Sequence, residues 1–201
     1  MKILFLGYTD SPLIDYIREH GDEVLATDQR IDLEFLRKET PEFLVSYGYK
    51  FILKRDVLDF FKGRAINLHI SYLPWNRGYY PNFWSFVENT PKGVTVHLID
   101  EGVDTGDILV QKGVDLKVDG ETFRTTYDKL REEMQVLFKE SWLKIRDGEI
   151  EPRKQTGPGS FHFKRDIEPL WKYMDKGWDT PIGEFLTAIK KAGLLDAVPE
   201  R

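Results

Sequence analysis

Along the first two thirds of the chain, short apolar runs alternate with stretches whose apolar positions repeat at helical spacing. Residues 3–7 form a continuous apolar run closed by Gly7, which predicts a buried strand, and Pro12-Leu13-Ile14-Asp15-Tyr16-Ile17 opens a helix behind a Ser11 cap. The alternation continues with strands at 23–27, 43–47 and 65–69 and with short helices at 32–38 and 56–61. Repeated strand–helix units of this kind predict a parallel sheet covered by helices on both faces. Residues 71–78 read as loop and 82–87 as a short helix. Two more strands follow at 93–99 and 108–114, and then a long helix at 122–146. Its apolar positions Tyr127, Leu130, Met134, Leu137, Phe138 and Leu143 suit one buried face. The predicted fold is therefore α/β: a doubly wound, Rossmann-like, mostly parallel sheet with a short C-terminal appendage.

Pro152, Gly157, Pro158 and Gly159 interrupt the pattern, so a catalytic core is expected over 1–148 and an extension over 149–201. The extension carries Phe161, Phe163, Trp171, Tyr173, Trp178 and Phe185. That much aromatic surface would be a liability if left in water, which predicts a docked element that binds an acceptor or joins two copies as a homodimer.

Composition narrows the class without changing the fold. With 201 residues, 41% hydrophobic and 31% charged, the chain has the make-up of an ordinary soluble enzyme with a sizeable core. Its lack of cysteine removes disulfides, thiolate metal sites and cysteine nucleophiles, and fits a cytoplasmic setting. No run approaches the ~20 apolar residues that span a bilayer, so no membrane partner is expected. A net charge of -5 argues against nucleic acid as the main partner, because neutralising phosphates calls for a basic face.

The candidate chemistry lies at Asn67-Leu68-His69 and at Asp104, in the glycine-flanked loop Asp100-Glu101-Gly102-Val103-Asp104-Thr105-Gly106. Residues two apart in a strand share a face, so Asn67 and His69 project together at the carboxyl end of the fourth strand, where ligands of such sheets bind. An amide, an imidazole and a carboxylate are what acyl transfer to an amine needs: an oxyanion donor, an acid or base, and a group that keeps the imidazole cationic and takes the proton. Each motif taken singly reads more readily as structural, His69 as a half-buried histidine and Asp104 as a turn residue. His97 alternates with apolar Val96 and Leu98 and reads as a strand residue, and His20 as a helix-end residue. No metal is implied.

Over roughly residues 1–146 the sequence resembles the folate-dependent formyltransferase core. The residues that carry the likeness are Ser46-Tyr47-Gly48-Tyr49-Lys50-Phe51-Ile52-Leu53, Ile66-Asn67-Leu68-His69-Ile70-Ser71-Tyr72-Leu73-Pro74, Arg77-Gly78, and Val96 through Ile108. The resemblance implies that Asn67, His69 and Asp104 are catalytic and that 10-formyltetrahydrofolate is the formyl donor. It also implies that Lys50, Phe51, Ile52, Leu53, Asp100, Glu101, Gly102 and Val103 hold the pterin, largely through backbone groups. Read without it, Phe51, Ile52 and Leu53 are plain core packing.

Among formyltransferases the acceptor is the open term. Glycinamide ribonucleotide enzymes carry a phosphate loop after the first strand, where this chain has Gly7-Tyr8-Thr9-Asp10-Ser11-Pro12, and Asp10 is a poor phosphate neighbour. Initiator-tRNA formyltransferases add a nucleic-acid-binding domain for which the extension leaves little room, and folate hydrolases place a regulatory domain ahead of the core. The remaining likeness is to sugar N-formyltransferases, whose acceptor is a nucleoside-diphosphate-linked amino sugar of the kind used in lipopolysaccharide O-antigen. Trp75, Tyr79, Tyr80 and Phe161 offer faces for a sugar or base, while Arg77, Lys164 and Arg165 offer cations for the diphosphate. Their structural reading is that the aromatics anchor core elements and that the two tail cations are a solvated face. The alternatives are formylation of another small amine, or a folate-binding protein without activity.

Overall fold

A computed structural model describes residues 1–195; the end of the expected extension, residues 196–201, lies outside the described residues. The chain forms two compact units. Met1–His69, Thr95–Gln111 and Met134–Gln155 make the first, and Ile70–Val94, Lys112–Glu133 and the residues from Thr156 onward make the second.

In the first unit the strand–helix alternation is realised as β1 (Lys2–Gly7), α1 (Pro12–Glu19), β2 (Glu23–Thr27), α2 (Leu33–Glu39), β3 (Phe43–Tyr47), α3 (Arg55–Phe61) and β4 (Ala65–His69). Ser11 caps α1 by accepting from the Leu13 amide at 3.3 Å, and Asp32 caps α2 by accepting from the Phe35 amide at 2.9 Å. Caps of this type are worth about 1 kcal/mol each. The six-stranded sheet runs β2-β1-β3-β4-β6-β7, with β6 at Gly93–Leu98 and β7 at Ile108–Gly113. Alternate residues face opposite sides. Leu4, Leu6, Leu44 and Ala65 pack with Leu36, Val57 and Phe61 beneath α2 and α3, while Phe43 on the other face meets Trp142 edge-on at 5.4 Å. The chain leaves β1 for opposite sides of the sheet, which puts a switch point between β1 and β3. Gly7 turns there with φ 109°, and a Cβ at this position would lie 2.1 Å from the Tyr47 carbonyl oxygen, so no larger residue fits.

The sheet is mostly parallel, as expected, with β4 and β6 pairing antiparallel. Two sequence expectations change. The helix α5 (Phe123–Arg146) buries Leu130, Met134, Phe138, Trp142 and Ile145, while Leu143 is 40% exposed. Leu143 sits one residue, about 100° of helix turn, away from the stripe that Trp142 completes. Finally, the 71–78 loop ends in a two-residue strand, β5 (Arg77–Gly78), paired in parallel with β8 (Phe161–His162).

The second unit has a core of its own. Phe83, Trp84, Phe86 and Val87 from α4 (Pro81–Val87) pack with Phe123, with Leu170 of α6 (Glu168–Trp171), and with Ile182, Phe185 and Ile189 of α7 (Ile182–Lys191). Of the extension's aromatics, Phe185 is buried here, Tyr173 and Trp178 pack on the rim, and Phe161, Phe163 and Trp171 remain exposed.

Candidate active site

Asn67, His69 and Asp104 come together in the first unit. The β4 pleat sends Asn67 and His69 to one side, as the two-residue spacing requires. Asn67 Nδ2 donates to Asp104 Oδ1 at 3.1 Å, and His69 Nδ1 lies 3.6 Å from Asp104 Oδ2. His69 and Asp104 are both largely withdrawn from water, with side chains 9% and 12% exposed, so a charge on either is weakly screened.

A fourth group, His97, reads in sequence as a strand residue alone. It is a strand residue, with its side chain 2% exposed, and the antiparallel register sets it directly opposite Asn67. Its Nδ1 donates to the Leu98 carbonyl at 2.7 Å, since a carbonyl only accepts. In the neutral ring Nε2 is then a lone pair, and it accepts from Asn67 Nδ2 at 3.2 Å. The two acceptors facing the Asn67 amide fix which end is nitrogen. Both amide hydrogens of Asn67 are thereby directed, one at Asp104 and one at His97. The signal for His97 lay in strand pairing rather than in its sequence neighbours.

The Asp104 loop is tightly constrained. Asp100 Oδ1 accepts from the Gly102 amide at 3.1 Å and from Thr105 Oγ1 at 2.6 Å, an Asx turn. Asp104 itself has φ 54°, in the left-handed region. Gly106 abuts the Leu98 carbonyl, where a Cβ would fall 1.8 Å from the oxygen. From the far side Gln155 Nε2 donates to the Asp104 and Gly106 carbonyls, each at 2.8 Å. Sequence reading gave Gln155 no role.

The residues expected to hold the pterin also lie in the first unit. Lys50, Asp100, Glu101, Gly102 and Val103 are exposed, and Phe51 and Leu53 are half-buried. Ile52 is 77% exposed, which excludes the plain core-packing reading for that side chain. Arg55 at the start of α3 reaches Glu101 at 3.2 Å, tying the segment after Leu53 to the Asp100–Asp104 loop. Lys50 and Arg30 stand over the Phe51 ring at 5.1 and 4.9 Å.

The expected acceptor residues belong to the second unit. Arg77 pairs with Phe161 in the β5–β8 ladder, the Tyr79 amide donates to the His162 carbonyl at 3.0 Å, and Tyr80 packs on Trp178 at 5.4 Å. Arg77 Nε is buried with no hydrogen-bond partner among the described residues. Phe161 and Phe163 meet edge-on at 4.8 Å, with Arg165 over Phe163 at 5.4 Å. Lys164 and Arg165 are exposed, and Trp75 is half-buried in the turn before β5. Beneath the ladder, His162 stacks on Trp84 at 3.9 Å and lies 3.0 Å from Glu88, whose other oxygen accepts from Asn76 and Ser160 at 3.0 and 2.7 Å. No cluster of three or more metal-ligating side chains occurs among the described residues.

The family model described as formyl transferase matches residues 18–141. The chain belongs to this family. The formyltransferase PseJ of Anoxybacillus kamchatkensis, crystallised with UDP-4,6-dideoxy-4-formamido-L-AltNAc and tetrahydrofolate, is 44% identical. It superposes with a TM-score of 0.87 over 92% of this chain and 97% of that one. A methionyl-tRNA formyltransferase of Thermodesulfovibrio yellowstonii is 39% identical over 123 residues, covering 61% of this chain and 40% of that protein. A dTDP-4-amino-4,6-dideoxyglucose formyltransferase of Mycobacterium tuberculosis is 28% identical over 127 residues, covering 63% of this chain and 53% of that protein. The chain thus spans about half or less of the length of these two curated relatives.

Proposed function

We propose that the protein is an N-formyltransferase that moves the formyl group of 10-formyltetrahydrofolate to the primary amine of a UDP-linked 4-amino-4,6-dideoxy sugar. The observation that carries the chemistry is the Asn67–Asp104–His69 cluster in a largely buried setting. The likeness to PseJ across nearly the whole of both chains supports the acceptor. In the reaction the neutral amine attacks the formyl carbon, the carbonyl oxygen gains charge, and the bond from that carbon to N10 of the folate breaks.

His69, with Nδ1 turned toward Asp104, offers its Nε2 to the developing oxyanion. Asn67 joins it by redirecting one Nδ2–H from His97 Nε2 to that oxygen, a shift that leaves its bond to Asp104 in place. Asp104 stabilises the imidazolium and accepts, directly or through water, the proton that the amine loses. The proton taken from the amine passes on to N10 as the carbon–N10 bond breaks, so tetrahydrofolate leaves with its N10 protonated and Asp104 is again a carboxylate. Lys50–Leu53 and Asp100–Val103 hold the pterin. Arg77 grips the diphosphate through its planar guanidinium, and Trp75, Tyr79, Tyr80 and Phe161 present ring faces to the nucleoside and sugar. Lys164 and Arg165 add positive potential to the same ligand. The donor and acceptor belong to cytoplasmic pools, and the exposed Phe163 and Trp171 make a homodimer contact.

An acceptor panel tests this reading. With 10-formyltetrahydrofolate present, formamido product is expected from the UDP-4-amino sugar, with less from dTDP-4-amino-4,6-dideoxyglucose and none from methionyl-tRNA. Product from the tRNA alone would replace the proposed acceptor.

A further inference from the structure

We infer that Gln155 is a positioning residue that sets the Asp104 carboxylate against Asn67 and His69; this rests on the role proposed above for Asp104. Gln155 touches none of the reacting groups. It acts on the backbone of the loop, where one amide nitrogen spends its two hydrogens on the Asp104 and Gly106 carbonyls at 2.8 Å each. The two carbonyls leave no ambiguity about which end of the amide faces them.

A loop in this state needs such a clamp. Asp104 is a non-glycine residue at φ 54°, a conformation that persists only where the surroundings hold it. Turning Asp104 back to an extended conformation would swing its carbonyl off Gln155 and its carboxylate off Asn67 together. The clamp is itself anchored. Ile108 and Arg153 exchange both backbone hydrogen bonds at 2.8 and 2.9 Å, and Lys154 pairs with Asp107 at 3.0 Å. Arg153 Nη2 donates to Gln111 Oε1 at 2.9 Å, and Gln111 Nε2 donates to Thr95 Oγ1 at 2.9 Å. Thr95 is the residue opposite His69 in the β4–β6 register. Residues 153–155 therefore form a strap from the chain beyond α5 to the loop that carries the carboxylate, tied at Asp104 itself and at Gly106, Asp107 and Ile108.

Gln155→Leu and Gln155→Met keep the side chain's bulk and remove the donor. Each is expected to lower kcat about ten- to a hundredfold, as about an ångström of misplacement does, with KM for both substrates within about threefold of wild type. Because Gln155 works through Asp104, Asp104→Asn/Gln155→Leu should be no slower than Asp104→Asn alone, whereas independent structural damage would multiply the two losses. Wild-type kcat in both Gln155 variants, or multiplied losses in the double variant, overturns the inference while leaving the role of Asp104 intact. Wild-type kcat in Asp104→Asn overturns both.

Discussion

Replacing Gly106 by alanine tests how finely the Asp104 loop must be set. The new Cβ would lie 1.8 Å from the Leu98 carbonyl oxygen and 2.7 Å from its carbon, whereas real Cβ atoms essentially never approach closer than 3.0 Å. Relief of the oxygen contact from 1.8 to 3.0 Å requires a relative shift of about 1.2 Å, and the neighbour is strand backbone rather than a movable side chain tip. The Leu98 carbonyl is pinned from within β6, because it accepts from His97 Nδ1 at 2.7 Å, so the 104–106 segment gives way. A displacement of that size takes the Asp104–Asn67 hydrogen bond from 3.1 Å to well beyond bonding range. The expected result is a kcat lower by about a hundredfold, or about 2.7 kcal/mol of barrier. Initial rates at saturating donor and UDP-4-amino sugar measure it, with a thermal melt confirming that the variant is folded at the assay temperature. A folded Gly106→Ala enzyme within about threefold of wild-type kcat would show that the loop position does not govern turnover.

Asn67→Ala, His69→Asn and Asp104→Asn should each fold normally and lose about a hundredfold or more in kcat, measured as formamido product formed. Arg77→Lys, which keeps the charge and loses the planar fork, should raise KM for the nucleotide sugar several-fold with kcat nearly unchanged, read from initial rates against acceptor concentration. Lys92 donates to the Ser85 and Thr90 carbonyls at 3.0 Å each, and burial holds its pKa below the ordinary 10.5. In the window between that lowered value and 10.5 the unfolded chain binds the extra proton, so this group makes stability rise with pH; Lys92→Met should remove that slope in urea titrations across the alkaline range. Phe185→Ala, at a fully buried position of the second unit's core, should cost about 3–5 kcal/mol by denaturant unfolding.

Most of the sheet could be read from sequence because each element states itself locally. The segments Glu23–Thr27, Phe43–Tyr47 and Ala65–His69 are short and mostly apolar, and their limits coincide with the observed strands. Pairing is not stated locally. Nothing in Gly93–Leu98 says that it runs antiparallel to β4, and so nothing in the sequence neighbours of His97 brought it opposite Asn67. The β5–β8 ladder joins residues far apart in sequence through two residues each, too few to leave a periodic mark. Leu143 was misplaced for a different reason: on a long helix the 3.6 repeat drifts, and Trp142 and Leu143 compete for one stripe. The Asn67, His69 and Asp104 cluster was legible because Asn67 and His69 share a face at a strand end and Asp104 lies in a loop flanked by Gly102 and Gly106. Gln155 was not, because its partners are backbone carbonyls, which leave no trace in side-chain composition.

The central claim is formyl transfer to a sugar amine, and it is tested most directly by following the formyl carbon. The protein is mixed with 10-formyltetrahydrofolate labelled at that carbon and with the UDP-4-amino-4,6-dideoxy sugar, and the products are resolved by carbon NMR. The label is expected in a formamide on the sugar nitrogen, in amounts equal to the tetrahydrofolate released. Label appearing as free formate, or remaining on the folate while the acceptor stays an amine, would contradict the account.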